Sequence, residues 1–464
     1  MLTLHHCING GIMGFENRLT EGNVAKQLIK FSLPLLLSNI VQALYSVADM
    51  FIVGWLSGTY TISGVNIGAQ VTMIVTNFVI GLAIGGTVLI AQYIGAKKHE
   101  EVNKTIGTLF SVMGLLAIFF SIFMTFFVDV MLKVLNTPEE SYSMAKDYVL
   151  ICMWGIIFVF GYNAISAILR GMGDSKRPLM FVGIACVINV VLDILFVGPL
   201  GMKAAGAALA TIISQAISMI LAVIYLKRSG FIFEFRRENF KIHKDKLKLL
   251  LKVGIPSSAQ SVVVGISFLV LTSMINDIGG VTASAAVGIV GKFNSFAILP
   301  AAAMSASVSA MAAQNIGAGL YDRASKTLWT AIAISFSISI VIFTFVQVFP
   351  ESILLAFKAE PDVVSIGVAY IKAFSLDYLI VPFAFCFNGL LNGAGYSIIS
   401  MTSAMVSSLV FRIPLVLLFA KVFETGVGGL GYAVPISTCF SMIIGGYFYF
   451  SGKWKQDRLK IQKP

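Results

Sequence analysis

The sequence predicts an all-α integral membrane protein, with twelve transmembrane helices arranged as two pseudo-symmetric six-helix lobes. Three features carry that prediction. Hydrophobic residues make up 57% of the 464 positions and charged residues only 12%, against roughly 25% charged in soluble domains, so most of the surface must face lipid. The apolar stretches are about 20 to 28 residues long and lack period-2 alternation, which suits spanning helices and not barrel strands. Finally, a pattern that begins near Lys30 returns 222 positions later.

The repeat is exact enough to align by eye. Lys30 and Pro34 return as Lys252 and Pro256, and Ala91, Gln92, Ile94, Gly95 and Ala96 as Ala313, Gln314, Ile316, Gly317 and Ala318. Tyr148 returns as Tyr370, and Gly171 and Gly173 as Gly393 and Gly395. A period this long excludes solenoids and points to two large bundles. The twelve spans run approximately over residues 28–56, 63–90, 105–128, 148–169, 179–198 and 204–226, then 249–275, 282–312, 328–349, 366–391, 398–420 and 428–450. Six spans per half make the repeat parallel. The expected organisation is an N-terminal segment (1–27), an N-lobe (28–228), a basic linker (229–247), a C-lobe (248–451) and a basic tail (452–464).

Charge placement orients these spans. Lys97, Lys98, Lys104, Arg170, Lys176, Arg177, the run from Lys227 to Lys252, Arg323, Lys326 and the tail lysines fall on one side, while Glu139, Glu140, Glu351, Glu360 and Asp362 fall on the other. Because Lys and Arg concentrate in cytoplasmic loops, both termini and the linker are expected in the cytoplasm of a plasma-membrane protein. The net charge of +11 then reflects topology. Basic residues dealt out loop by loop do not suit nucleic acid. The linker reads as a solvated connector, although Phe231, Phe233 and Phe235 interleaved with Arg236, Arg237 and Lys241 also suit an anionic lipid surface.

Other chemistries find little support. No cleavable signal peptide is visible, and Met13 is an alternative start to Met1. His5, His6 and Cys7 stand near the N-terminus, while Cys152, Cys186, Cys386 and Cys439 lie singly in spans, so neither a zinc site nor a disulfide framework is indicated. An intramembrane enzyme would need a nucleophile with a base or metal ligands, and no such constellation occurs. No resident metal or cofactor is expected.

Ionisable groups inside a membrane are costly and mark function. They are few here: Asp49 in the first span, Asp193 in the fifth with the amide of Asn189 beside it, Lys292 in the eighth, Asp377 in the tenth and Arg412 in the eleventh. The repeat acts as a control, since a residue required by the scaffold should have a similar twin. Instead Asp49 pairs with Leu271, Asn189 with Phe411, Asp193 with Leu415, Asp377 with Gly155 and Arg412 with Val190.

At roughly 1.5 Å per residue, Asp49 and Asp193 lie about 8 to 11 Å below the outer ends of their helices. Asn189 is one turn deeper than Asp193 on the same face, and Thr211 in the sixth span reaches the same layer. Two carboxylates, an amide and a hydroxyl are hard oxygen donors that suit a proton or a small alkali cation. Carboxylates in contact titrate jointly, which makes them a usable coupling site. The alternative is that they only bond neighbouring helices. Lys292 can snorkel, Arg412 is expected to bridge Asp377, and Asp377 suits a structural or a substrate-binding role. Pro34, Pro300, Pro382, Pro414 and Pro435 lie inside spans, where a missing N–H permits bending or fixes a static kink.

The segment PLLLSNIVQALYSVADMFIVG from Pro34, AQYIGA from Ala91 with AQNIGAG from Ala313, ILRGMGDSKRP from Ile168, INVVLDILFV from Ile188 and LNGAGYS from Leu391 together resemble the multidrug and toxic compound extrusion (MATE) family, over nearly the whole chain. The resemblance implies an export antiporter that alternates access between two lobes, expelling organic cations and amphipathic compounds against an inward sodium or proton gradient. The family's N-lobe cation site falls on Asp49, Asn189, Asp193 and Thr211, with the Ala207 backbone as a further ligand, and its helix-1 hinge on Pro34. Where some relatives carry an acidic residue in the seventh span this chain has Val264, so Asp377 would act without that partner. Small-molecule cations and membrane lipid are the expected partners, with the protein a monomer. Trp154, Phe158 and Phe160 could stack on a substrate or simply pack. A lipid or lipid-linked oligosaccharide flippase is the alternative reading, with only Lys292 and Arg412 to supply a cationic cavity.

Overall fold

In a computed structural model the chain is described over residues 19–461, apart from positions 229 and 358. His5, His6, Cys7 and the two candidate start methionines lie outside the described residues. The described chain is helical throughout its spans. The first half comprises α1 (Val24–Ser57), α2 (Thr59–Gly95), α3 (His99–Val134), α4 (Glu139–Trp154), α5 (Ile156–Gly171), α6 (Lys176–Val197) and α7 (Lys203–Arg228). The second comprises α8 (Lys244–Ala297), α9 (Leu299–Gly317), α10 (Tyr321–Val348), α11 (Pro350–Leu355), α12 (Pro361–Phe374), α13 (Asp377–Gly393), α14 (Ser397–Met405), a π-helical segment (Val406–Arg412), α15 (Ile413–Lys421), α16 (Gly426–Leu430) and α17 (Ala433–Phe450).

Nine of the described helical runs are long and apolar enough to span a bilayer, and two bent pairs bring the number to eleven. One of those runs, Lys244–Gly317, has 74 residues, whereas a span needs about 20. Gly280, at φ +56° and ψ −148°, breaks it in two, and the twelve-helix arrangement follows. α4 and α5 form one span bent by 51° at Gly155, and α12 and α13 one bent by 43°.

Both bends fall at equivalent places in the repeat, and neither is made by a proline. A break inside a membrane frees carbonyls that need donors. Ser121 Oγ donates to the Met153 carbonyl at 2.5 Å, while Gln347 Nε2 and Ser375 Oγ donate to that of Lys372 at 3.0 and 2.9 Å. α1 and α13 run on as single helices through Pro34 and Pro382.

The helices pack as two compact units: residues from Leu37 to Gly254, and Thr20–Leu36 together with the chain from Ile255 onward. The divisions fall beside Pro34 and Pro256. Within each unit close helix contact is made by small residues, as lipid-facing bundles require. A Cβ on Gly171 would stand 2.8 Å from the Thr87 carbonyl oxygen, and one on Gly393 2.5 Å from that of Ser309. These are the same contact in both copies. Gly173 and Gly395 likewise share a left-handed backbone, at φ +85° and +80°. Past the loop that contains Gly201 and Gly426 (φ +60° and +68°) the register slips by three, so Gly206 matches Gly431.

The linker is a solvated connector over residues 236–242, which are exposed, but it is anchored at both ends. Phe233 is buried, and with Phe235 and Phe240 it rings Phe110 of α3 at centroid distances of 5.9 to 6.0 Å. The linker backbone is tied to α3 through Thr108, whose Oγ1 donates to the Lys241 carbonyl at 3.3 Å and accepts the His243 N–H at 3.1 Å. Lys246 is buried, ion-paired to Glu101, and donates to the Tyr93 hydroxyl at 2.8 Å. Phe231 and Phe233 are buried while Arg236 and Arg237, which follow Phe235, stay exposed, so the apolar and charged residues of the linker separate to opposite environments.

Candidate functional site

Asp49 on α1, Asn189 and Asp193 on α6, and Ala207 and Thr211 on α7 come together inside the first unit. α6 and α7 pack closely against each other, and the i, i+4 spacing of Asn189 and Asp193 puts both on the face turned away from lipid, where neither is exposed at all. Asp49 is 8% exposed and its carboxyl lies within hydrogen-bonding reach of that of Asp193. Asn189 Nδ2 donates weakly to Thr211 Oγ1 at 3.5 Å. Ala207 is fully buried one turn from Thr211.

Tyr45 completes the group. It stands one turn before Asp49 on α1, and its hydroxyl shares a hydrogen bond with Thr211 Oγ1 at 2.9 Å. Sequence reasoning passed over it because a lone tyrosine in a span reads as packing, although its i, i+4 spacing from Asp49 is a usable signal.

What distinguishes the cluster is an excess of acceptors. Asp49 Oδ1, Asn189 Oδ1 and both oxygens of Asp193 are buried without a donor. Buried acceptors in native proteins are almost always satisfied. Ionised carboxylates accept only, so two in contact need either a shared proton or a cation with hard-oxygen preference. No group of three or more His, Cys, Asp or Glu that could hold a metal occurs among the described residues.

Tyr45 also forms part of the wall of a cavity of about 220 Å³ in the same unit. Its lining combines Gln42, Ser46, Thr76, Tyr162, Asn163 and Gln215 with Val41, Ile80, Val159 and Val182, polar but without a formal charge. Such a mixture suits an amphipathic ligand.

The other predicted residues lie elsewhere. Lys292 is exposed on the second limb of α8. Asp377 and Arg412 are both buried in the second unit, but they do not form the expected bridge: no nitrogen of Arg412 comes within 4.0 Å of a carboxylate oxygen. The guanidinium bonds serine hydroxyls instead, and Asp377 Oδ1 has no donor. Val264 accepts the Ser267 hydroxyl through its carbonyl. Of the aromatic residues, Phe160 is core, packed edge-on against Phe120, while Trp154 is exposed.

A helical membrane protein built from two repeated bundles, one of which buries an acceptor-only carboxylate pair beside a polar cavity, has the architecture of a secondary transporter. The MatE family model matches residues 34–195 and again 256–418, the two copies of the repeat. The chain belongs to that family, a family of multi-pass membrane transporters and not of enzymes. It is 31% identical over 448 residues to the Bacillus subtilis protein named probable multidrug resistance protein YpnP, covering 96% of this chain and 99% of that one. It is 28% identical over 451 residues to YoeA of the same organism, also named a probable multidrug resistance protein, covering 96% and 97%. Among solved structures, that of a MOP superfamily transporter from Pyrococcus furiosus superposes with a TM-score of 0.88 at 22% identity, over 96% of this chain and 98% of that one.

Proposed function

We propose that this protein is a cation-coupled multidrug antiporter that exports organic cations and amphipathic compounds by alternating access. The observation that carries the reading is the donor-free contact between Asp49 and Asp193. A proton, or a sodium ion held by Asp49, Asp193, Asn189, Thr211 and the Ala207 backbone, would supply the missing positive charge. The polar cavity that shares Tyr45 with this cluster would take the substrate. Cation and substrate then compete through linkage, since each must weaken the other's binding by the same factor.

Loading the site changes the charge carried by α1 fifteen residues beyond Pro34, the hinge in this reading. Pro34 leaves one backbone carbonyl of α1 without its intrahelical donor, so bending there is less costly than elsewhere along the helix. The positive-inside distribution supports both termini on the cytoplasmic side of the plasma membrane. We assign the transporting unit as a monomer, with the exported small molecule and surrounding lipid as its partners.

The test is ethidium efflux from proteoliposomes carrying the purified protein, with a proton or a sodium gradient imposed separately. Efflux driven by one gradient establishes antiport and names the ion. No movement under either, with intact protein, overturns the coupled-export reading and moves a lipid flippase ahead.

A further inference from the structure

Within the first unit the linker is laid over the lipid-facing side of α3. Thr108, which bonds the Lys241 carbonyl and the His243 N–H, stands 7, 11, 14 and 18 residues before Leu115, Phe119, Ile122 and Phe126. Those intervals are whole numbers of helical turns, so the five side chains share one face. The four apolar ones are 50% to 75% exposed, and an exposed apolar stripe on a spanning helix meets lipid. Thr108 lies roughly 11 Å along the axis from Leu115, on the side where Lys97, Lys98 and Lys104 collect. The linker backbone above it is therefore at the edge of the bilayer, at headgroup depth.

The linker is held there closely. A Cβ on Gly107 would run into the Asn239 carbonyl oxygen, so the linker backbone lies directly on the helix. Buried Phe233 and the two hydrogen bonds at Thr108 fix its depth.

What the linker presents at that depth is mixed in a particular way. Phe240 and Ile242 flank Lys241 and are 38% and 40% exposed. Arg237, Lys241 and Lys244 are also exposed, and among the described residues none of them has an ion-pair partner within 4.0 Å. Arg236 is paired to Glu234 at 3.1 Å, and Lys246 to Glu101 and Asp245. Three cations thus stand free against one unpaired acid, Glu238, beside two apolar side chains that the protein leaves uncovered.

We propose that residues 236–244 form a binding platform for anionic phospholipid, with Phe240 and Ile242 entering the boundary between headgroups and acyl chains and Arg237, Lys241 and Lys244 taking the lipid phosphates. Apolar side chains interleaved with cations are the composition that such a surface selects. The water that solvates this stretch is then that of the headgroup layer. The inference does not depend on which ion or substrate the protein moves.

A tryptophan placed on the platform reads its contact with lipid. The full chain carrying Ile242→Trp is reconstituted into phosphatidylcholine vesicles in which the same minor fraction is either brominated phosphatidylglycerol or brominated phosphatidylcholine. Quenching of the parent protein, which has four tryptophans of its own, is subtracted. Both brominated lipids should quench the added tryptophan, phosphatidylglycerol the more strongly. Adding Arg237→Gln, Lys241→Gln and Lys244→Gln should cut that preference by about fivefold or more, the scale of removing even one cation from an anionic surface. Salt at about 1 M, where the Debye length is about 3 Å, should also cut it. No quenching by either lipid puts the linker in bulk water, equal quenching by both removes the charge selection, and a preference that survives the three substitutions places it on other residues. Each of these results overturns the proposal. Should the Ile242 variant not fold, Phe240→Trp is read in the same way.

Discussion

Where the first unit places Asp49, Asn189, Asp193 and Thr211, the second has Leu271, Phe411, Leu415 and Ile436 at the equivalent positions. The first set is polar and short of donors; in the second, Leu271 is buried in an apolar cluster and Phe411 stacks on Phe440. Yet the scaffold around both is the same: Gly171 and Gly393 meet the same backbone, Tyr148 and Tyr370 are both buried, and both fourth-in-repeat spans bend at the same place. Packing residues hold the duplicated bundle, which leaves the intramembrane polar positions free to diverge. One copy has become an acidic cluster, and the other a separated Arg412 and Asp377.

The largest expected effect removes the acidic cluster. Asp49→Asn and Asp193→Asn should each bring gradient-driven ethidium efflux down to the level of empty liposomes while the protein still elutes as a folded species. Because the two carboxylates act together, the double variant should be no worse than either single one. Wild-type efflux in both single variants would remove the asymmetry argued here.

Forcing the second unit to imitate the first is the next test. Leu271→Asp puts an acid at the twin of Asp49 without Asn189, Asp193 or Thr211 around it, and should cost about 3 kcal/mol, the scale for a charge at the centre of a membrane helix. Thermal unfolding in detergent would read it, and an unchanged midpoint would mean that the apolar twin site is not dry.

Smaller losses should come from the shared scaffold, and in both halves. Gly393→Ala and Gly171→Ala each press a methyl group onto a backbone carbonyl, an overpacking worth about 1–3 kcal/mol. The Gly393 variant should suffer more, its contact being 2.5 Å against 2.8 Å. A stability loss in only one half, measured the same way, would break the equivalence of the two copies. Smallest of all is Lys292→Met: the residue is exposed and has no twin role, so efflux should change by less than about twofold.

Much of this was legible along the chain. Long apolar runs, the 222-residue period and five intramembrane polar residues without polar twins are one-dimensional signals, and they led to Asp49, Asn189, Asp193 and Thr211 because helix periodicity and depth convert directly from residue number. Reading failed where a side chain's partner is remote. The linker's charge pattern pointed to solvent along its whole length, but its phenylalanines found Phe110, more than a hundred residues earlier in the chain. Arg412 was expected on Asp377, and instead bonds Ser267, 145 residues away.

The sequence by itself determined the class of the protein, its duplicated plan and which residues carry charge into the membrane, since burial in lipid leaves no alternative to helices and marks each ionisable group as costly. Only the tertiary structure decided which of those groups touch. Asp49 and Asp193 meet while Asp377 and Arg412 do not, because contact between helices depends on rotation and close approach set by packing, and no spacing along the chain encodes it.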